Sequence, residues 1–165
     1  MQATQARVEM VMIVGNKQKS RGFTMIELLI ALGLVSILAM LAAPSFAQFI
    51  KQERLTKTAN ELNAVYRYAR SEAVKRAQTV MLTKQDSAWL VEIEAADGRE
   101  TLRQFASNYP TVNAELVNRM IRSTGELNLQ SNILISDNDG NTEDYRLCIL
   151  RSGQSWLGKA AENCA

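Results

Sequence analysis

Histidine is absent from this chain of 165 residues. That removes the commonest general base and the commonest metal ligand. Serines are plentiful, but none has an imidazole to activate it, and no S-x-x-K lies in an organised setting, so an enzyme is not expected. Cysteine is scarce: Cys148 and Cys164 only. Without histidine and without C-x-x-C spacing the pair does not read as a zinc site, and no cofactor is expected. Strong charge of either sign is also missing. The chain carries a net +2, but residues 1–22 hold Arg7, Lys17, Lys19 and Arg21 against Glu9 alone, a net +3, which leaves −1 for the remainder. The basic character therefore belongs to the first residues, and no general attraction to phosphate is visible in the body. Proline and glycine are missing from Ser45 to Gln85, so nothing local interrupts a helix there.

What is present begins with a long apolar run. Between Phe23 and Ile50 the one charged residue is Glu27. About 20 apolar residues suffice to cross a bilayer as a helix. Lys17, Lys19 and Arg21 precede the run, which by the positive-inside rule puts the N-terminus in the cytoplasm and the body outside. Two cysteines in an exported chain read as one disulfide, Cys148–Cys164, against the alternative of two buried thiols.

Three fates fit the run. A cleaved secretory signal would use the small residues Ser45 and Ala47 and leave Gln48 first. A plain anchor would keep everything. A cut between Gly22 and Phe23 would keep the apolar helix and create a new amine at Phe23. Glu27 separates the three. A carboxylate inside lipid costs roughly 2.5–3.5 kcal/mol on insertion scales, so it calls for a partner or an interfacial position. Phe23 and Glu27 share a helix face. In helices stacked with a small axial offset, Glu27 of one copy meets the new amine of its neighbour. The simpler alternative leaves Glu27 at the interface, favoured by the helix dipole.

The segment Gly22-Phe23-Thr24-Met25-Ile26-Glu27-Leu28, preceded by Lys and Arg and followed by the apolar run and Pro44, closely resembles the processing site of type IV prepilins and type II secretion pseudopilins. The resemblance implies a dedicated prepilin peptidase that cuts after Gly22 and methylates the Phe23 amine, with Glu27 retained for assembly with other pilin subunits. It implies a bacterial inner-membrane protein, crossing once, with its head in the periplasm before it joins a fibre. "ARSEAVKR", residues 69–76, is similar to the helix signature of minor pilins of the GspH/FimT group, which includes FimU-like proteins. The implied roles are those of a minor pilin of a fibre used in twitching, adhesion or DNA uptake, or of a secretion-system pseudopilin.

The expected organisation is a leader, 1–22, a transmembrane and assembly helix, 23–50, and a head, 51–165, that includes the upper half of one long helix over about 23–79. Leu55, Ala59, Leu62, Tyr66, Ala69 and Ala73 step by four and three, an apolar stripe, and Glu72 is spaced to pair with Arg76. Pro44 lacks an N–H and is expected to kink this helix. Seven Lys/Arg and three Asp/Glu between residues 51 and 76 read as its solvated face. Beyond it, "TVMLTKQ", "AWLVEIEA" and "ETLRQF" read as strands, with Asp97-Gly98 as a hairpin turn. "AELVNRMI" reads as a short helix, and "ELNLQ", "NILIS", "YRLCILR" and "SWLGKA" as further strands. The fold class is α+β: a long N-terminal helix on a small antiparallel head, the pilin fold that the resemblance implies. "DNDGNTED", residues 137–144, crowds acids around Gly140, but the spacing is not that of a calcium loop, and a solvated turn is expected. Some members of the resembled branch bind DNA through Gly-Arg-x-Arg near this C-terminus. The equivalent Gly153-Gln154-Ser155-Trp156 has neither arginine. Arg146, Arg151 and Lys159 stay as candidate DNA contacts beside Trp156, and DNA is not the favoured partner.

Overall fold

The computed structural model describes residues 22–162 and Cys164; of the expected leader, only Gly22 lies within the described residues. The described residues fall into two compact units, divided after Met40. Helix α1, Met25–Arg76, contributes to both, with Pro44 inside it. The division falls at Met40, whose carbonyl is the one Pro44 cannot bond, because proline has no N–H.

In the second unit α1 buries Leu55, Ala59, Leu62, Tyr66, Ala69 and Ala73 completely, the stripe that the 3.6 periodicity predicts. Glu72 joins this face and pairs with Arg76 at 2.9 Å and Lys75 at 3.3 Å. The hydrogen bond from Arg76 is the main cause of the downward shift of the Glu72 pKa. α1 stops at Arg76, three residues short of the expected end. Ala77 takes a positive φ of 51°. The Gln78 N–H donates to the Ala73 carbonyl at 3.2 Å and the Ala77 N–H to the Val74 carbonyl at 3.3 Å, the pair of bonds that closes a helix in a Schellman motif.

Eight strands follow: β1 Val80–Gln85, β2 Ala88–Ala95, β3 Gly98–Ala106, β4 Asn113–Ala114, β5 Arg119–Ile121, β6 Ser131–Ser136, β7 Tyr145–Ile149 and β8 Ser155–Lys159. They form two antiparallel four-stranded sheets, ordered β3-β2-β1-β5 and β4-β6-β7-β8. Alternation works as expected: Val80, Leu82, Trp89, Val91 and Ile93 point inward and are buried. With the α1 stripe, Phe105, Ile121, Ile133, Ile135, Leu147 and Ile149 they form one core. The fold class is therefore α+β, a long helix whose upper half packs on antiparallel sheets.

Three local expectations are corrected. "AELVNRMI" is not helical. Ala114 closes β4 and residues 119–121 form β5, because Leu116 and Ile121 are drawn into the core while Asn118 and Arg119 bond strand and loop backbone. "ELNLQ" is no strand: Leu127 alone bridges Ile121, and Asn128 caps Met120 through backbone and side chain. The β2–β3 hairpin pairs Ala95 with Gly98, so Ala96-Asp97 turns the chain and Gly98 starts β3.

Candidate functional site

The amino-terminal segment of α1 begins with Gly22 and Phe23 outside the helix, both exposed; 85% of the Phe23 surface is free. Thr24 and Glu27 then form a reciprocal cap. The Glu27 N–H donates to Thr24 Oγ1 at 3.2 Å, and the Thr24 N–H to Glu27 Oε2 at 3.5 Å. This is a capping box, and T-M-I-E carries its sequence signature. The long second bond uses one of about four acceptor sites on the carboxylate. Helix formation therefore starts immediately beyond the peptide bond that a cut after Gly22 would break.

Between Met25 and Ile50 the helix is mostly apolar and uncovered: Ile26, Leu28, Leu29, Ile30, Leu34, Ile37 and Leu41 are all exposed. This part of the helix is long and apolar enough to cross a membrane. Ser36 does not interrupt it, because its hydroxyl donates to the Leu32 carbonyl at 2.8 Å. Such a surface is stable in lipid or against other apolar helices.

Within the second unit, α1 is clamped just after Pro44. Gln48 donates to the Asn141 carbonyl. Lys51 Nζ meets Asp139 Oδ2 at 2.5 Å. Gln52 bonds Glu143 twice: its amide donates to the carbonyl at 3.0 Å, and its oxygen accepts from the backbone N–H at 2.7 Å. The loop 137–144 thus sits on the helix. Asp139 also accepts from the Asn141 backbone and side chain. The Lys51 hydrogen bond, with those from Asn141, pulls the Asp139 pKa down to about 2. Asp137 is occupied by the Asp139 N–H and the Thr142 hydroxyl. Among the described residues no group of three His, Cys, Asp or Glu side chains is arranged to hold a metal ion. The clamp was not readable from sequence, since its partners lie 88 to 93 residues apart.

At the other end of the head, Cys148 on β7 is bonded to Cys164, with Cα atoms 5.5 Å apart. The turn after β7 carries Gly153 at φ 83°. Its carbonyl accepts the buried Tyr66 hydroxyl at 2.8 Å, and Ser155 donates to Asn63 at 3.0 Å. A Cβ at Gly153 would lie 2.0 Å from the Gly125 carbonyl oxygen. The candidate DNA contacts do not converge. Arg146 pairs with Gly158, whereas Lys159 pairs with the neighbouring Tyr145, so the two side chains leave opposite faces of the sheet. Lys159 is engaged by Glu143 at 2.7 Å. Arg151 lies in the turn, and Trp156 is half-buried.

Comparison with known proteins adds the following. The family model described as type II transport protein GspH matches residues 58–156. The model for the prokaryotic N-terminal methylation motif matches residues 17–43. No curated protein matches the sequence. Among solved structures, the type IV minor pilin FimU of Pseudomonas aeruginosa is similar, with 22% identity and a TM-score of 0.59 over 71% of this chain and 99% of that one. The minor pseudopilin EpsH of Vibrio cholerae is similar as well, with 16% identity and a TM-score of 0.54 over 66% of this chain and 99% of that one. At these identities the two share its fold.

Proposed function

Because the chain belongs to the family of the type II transport protein GspH, whose model matches more than half of its 165 residues, we propose that it is a minor pilin that helps to initiate or cap a type IV pilus fibre. A prepilin peptidase cuts between Gly22 and Phe23 and methylates the new amine. The apolar helix holds the chain in the bacterial inner membrane, with the head in the periplasm. On assembly the helices leave lipid and bury against other pilin subunits. The protein is a structural subunit, not a catalyst.

The observation that carries this reading is an exposed Gly22-Phe23 pair directly ahead of a capped, uncovered apolar helix whose one acid is Glu27. The local cap leaves acceptor capacity on Glu27 for the Phe23 ammonium of an adjacent subunit. Such a pair is strong because an unpaired charge there is heavily penalised. Contacts from one surface to a different surface of the next copy propagate as an open helix.

The description of the matching family favours one further reading, a minor pseudopilin of a type II secretion system. Deletion in the native host separates the two. Loss of twitching and DNA uptake with normal exoprotein release supports the pilus; blocked exoprotein release with intact twitching supports the secretion system. Glu27→Ala tests the assembly step: the variant should be processed yet missing from sheared fibres, and normal incorporation would refute the pairing.

A further inference from the structure

A groove of about 560 Å³ lies along α1. Phe49, Ile50, Glu53, Arg54 and Lys57 come from the helix, and Tyr109 comes from the loop after β3. The positions follow helical spacing of three and four, so the apolar face of the anchor runs directly into a basic one. Tyr109 is fixed there. Its carbonyl accepts from the Val112 N–H at 3.0 Å and from the Ser107 hydroxyl at 3.0 Å, and its own N–H donates back to Ser107. Arg54 and Lys57 both lie over its ring, 5.5 and 5.7 Å from the centroid.

We propose that this groove holds the headgroup of an anionic phospholipid while the subunit waits in the membrane. The inference rests on the membrane reading of the helix. The apolar run ends at Ile50. At 1.5 Å per residue, Arg54 and Lys57 stand about 6 and 10 Å beyond it, and the headgroup layer on each side of a bilayer is about 5–8 Å deep. Long cationic side chains reach back to phosphate while their stems stay on apolar surface. Tyrosine, with a ring for the acyl boundary and a hydroxyl for the headgroup, is enriched at this depth. Phe49 and Ile50 supply the apolar side of the groove, and the exposed Phe46 stacks on Phe49 at 6.3 Å. Glu53 sets one negative charge against the two cations, leaving the groove positive. Lys51 is excluded from it because Asp139 engages that ammonium.

The test uses the full chain carrying a nitroxide at Asn60→Cys, on the wall of the groove. It is reconstituted in vesicles of phosphatidylcholine alone and in vesicles with a quarter phosphatidylglycerol. Flotation reports the anchor, and collision with a water-soluble relaxant reports the groove. The expected result is flotation in both lipids, with the nitroxide less accessible when phosphatidylglycerol is present. That difference should vanish in high salt and in the Arg54→Gln/Lys57→Gln variant, and persist in Lys84→Gln. Flotation with equal accessibility in the two lipids, or a difference that survives salt or the double substitution, overturns the groove assignment alone. A chain that does not float overturns the membrane reading, and this one with it. The salt response of the unsubstituted protein decides the matter even if the double variant is unstable.

Discussion

Gly153 and Tyr66 show how single residues fix the upper end of the head. Gly153 holds a left-handed φ, and a side chain there would run into the Gly125 carbonyl. Gly153→Ala is expected to cost about 2–3 kcal/mol, conformational strain plus the clash, read as a lower unfolding midpoint. Gly140→Ala, where a Cβ meets open space, should be nearly silent in the same assay. Burial pushes the Tyr66 phenol up to about 12. A pKa raised on folding stabilises the fold fully below the unfolded value near 10 and loses that contribution as pH rises towards 12. The unsubstituted protein should therefore lose about 2–3 kcal/mol over that interval relative to Tyr66→Phe. Parallel pH profiles of the two would contradict the burial argument. At neutral pH Tyr66→Phe is less stable by about 1 kcal/mol, since the Gly153 carbonyl loses its donor.

Elements show what local sequence carries and what it omits. The α1 stripe and the alternation in β1 and β2 were legible because burial on one face imposes a period on the residues themselves. The helix terminus was not, because Ala77 occupies a position that usually takes glycine and so gives no stop signal. Ala77→Gly should remove the left-handed penalty and raise stability by about 1 kcal/mol; an unchanged or lower melting temperature would count against the Schellman geometry. Residues 107–130 lack periodicity because much of that stretch follows the core singly, through Val112, Leu116, Ile121 and Leu127. The Thr24-x-x-Glu27 cap was not read from sequence, because its acid already had a separate explanation in its cost in lipid. The clamp of loop 137–144 lies beyond sequence reading altogether. Its predicted behaviour is specific. A carboxyl pKa lowered on folding stabilises above the unfolded value near 3.8, and that contribution is lost as pH falls to about 2. The protection factors of the amides in 137–144 should therefore fall across that interval, and Lys51→Gln should show the lower protection already at pH 6. Equal protection in the variant would show that Lys51 does not hold the loop.

At the scale of the whole molecule, the chain joins a head with its own core to a helix whose first part is uncovered among the described residues. The head has its own core, two sheets and a disulfide whose sequence separation of 16 stabilises by about 3 kcal/mol in the chain-entropy account. Among the described residues, the exposed apolar side chains from Phe23 to Ile50 have no such cover. In the proposed function that surface is retained on processing and exchanges lipid for neighbouring helices. The fold class and the long apolar helix were readable because each depends on local composition and periodicity. The arrangement of the candidate DNA contacts was not, because strand register alone sends Arg146 and Lys159 to opposite faces. The most direct measurement is the intact mass of the protein recovered from native cells, with its first residue sequenced. The account predicts a chain that starts at Phe23, carries one added methyl group on that amine and retains the apolar helix. A chain that still carries residues 1–22, or one that starts at Gln48, would contradict it.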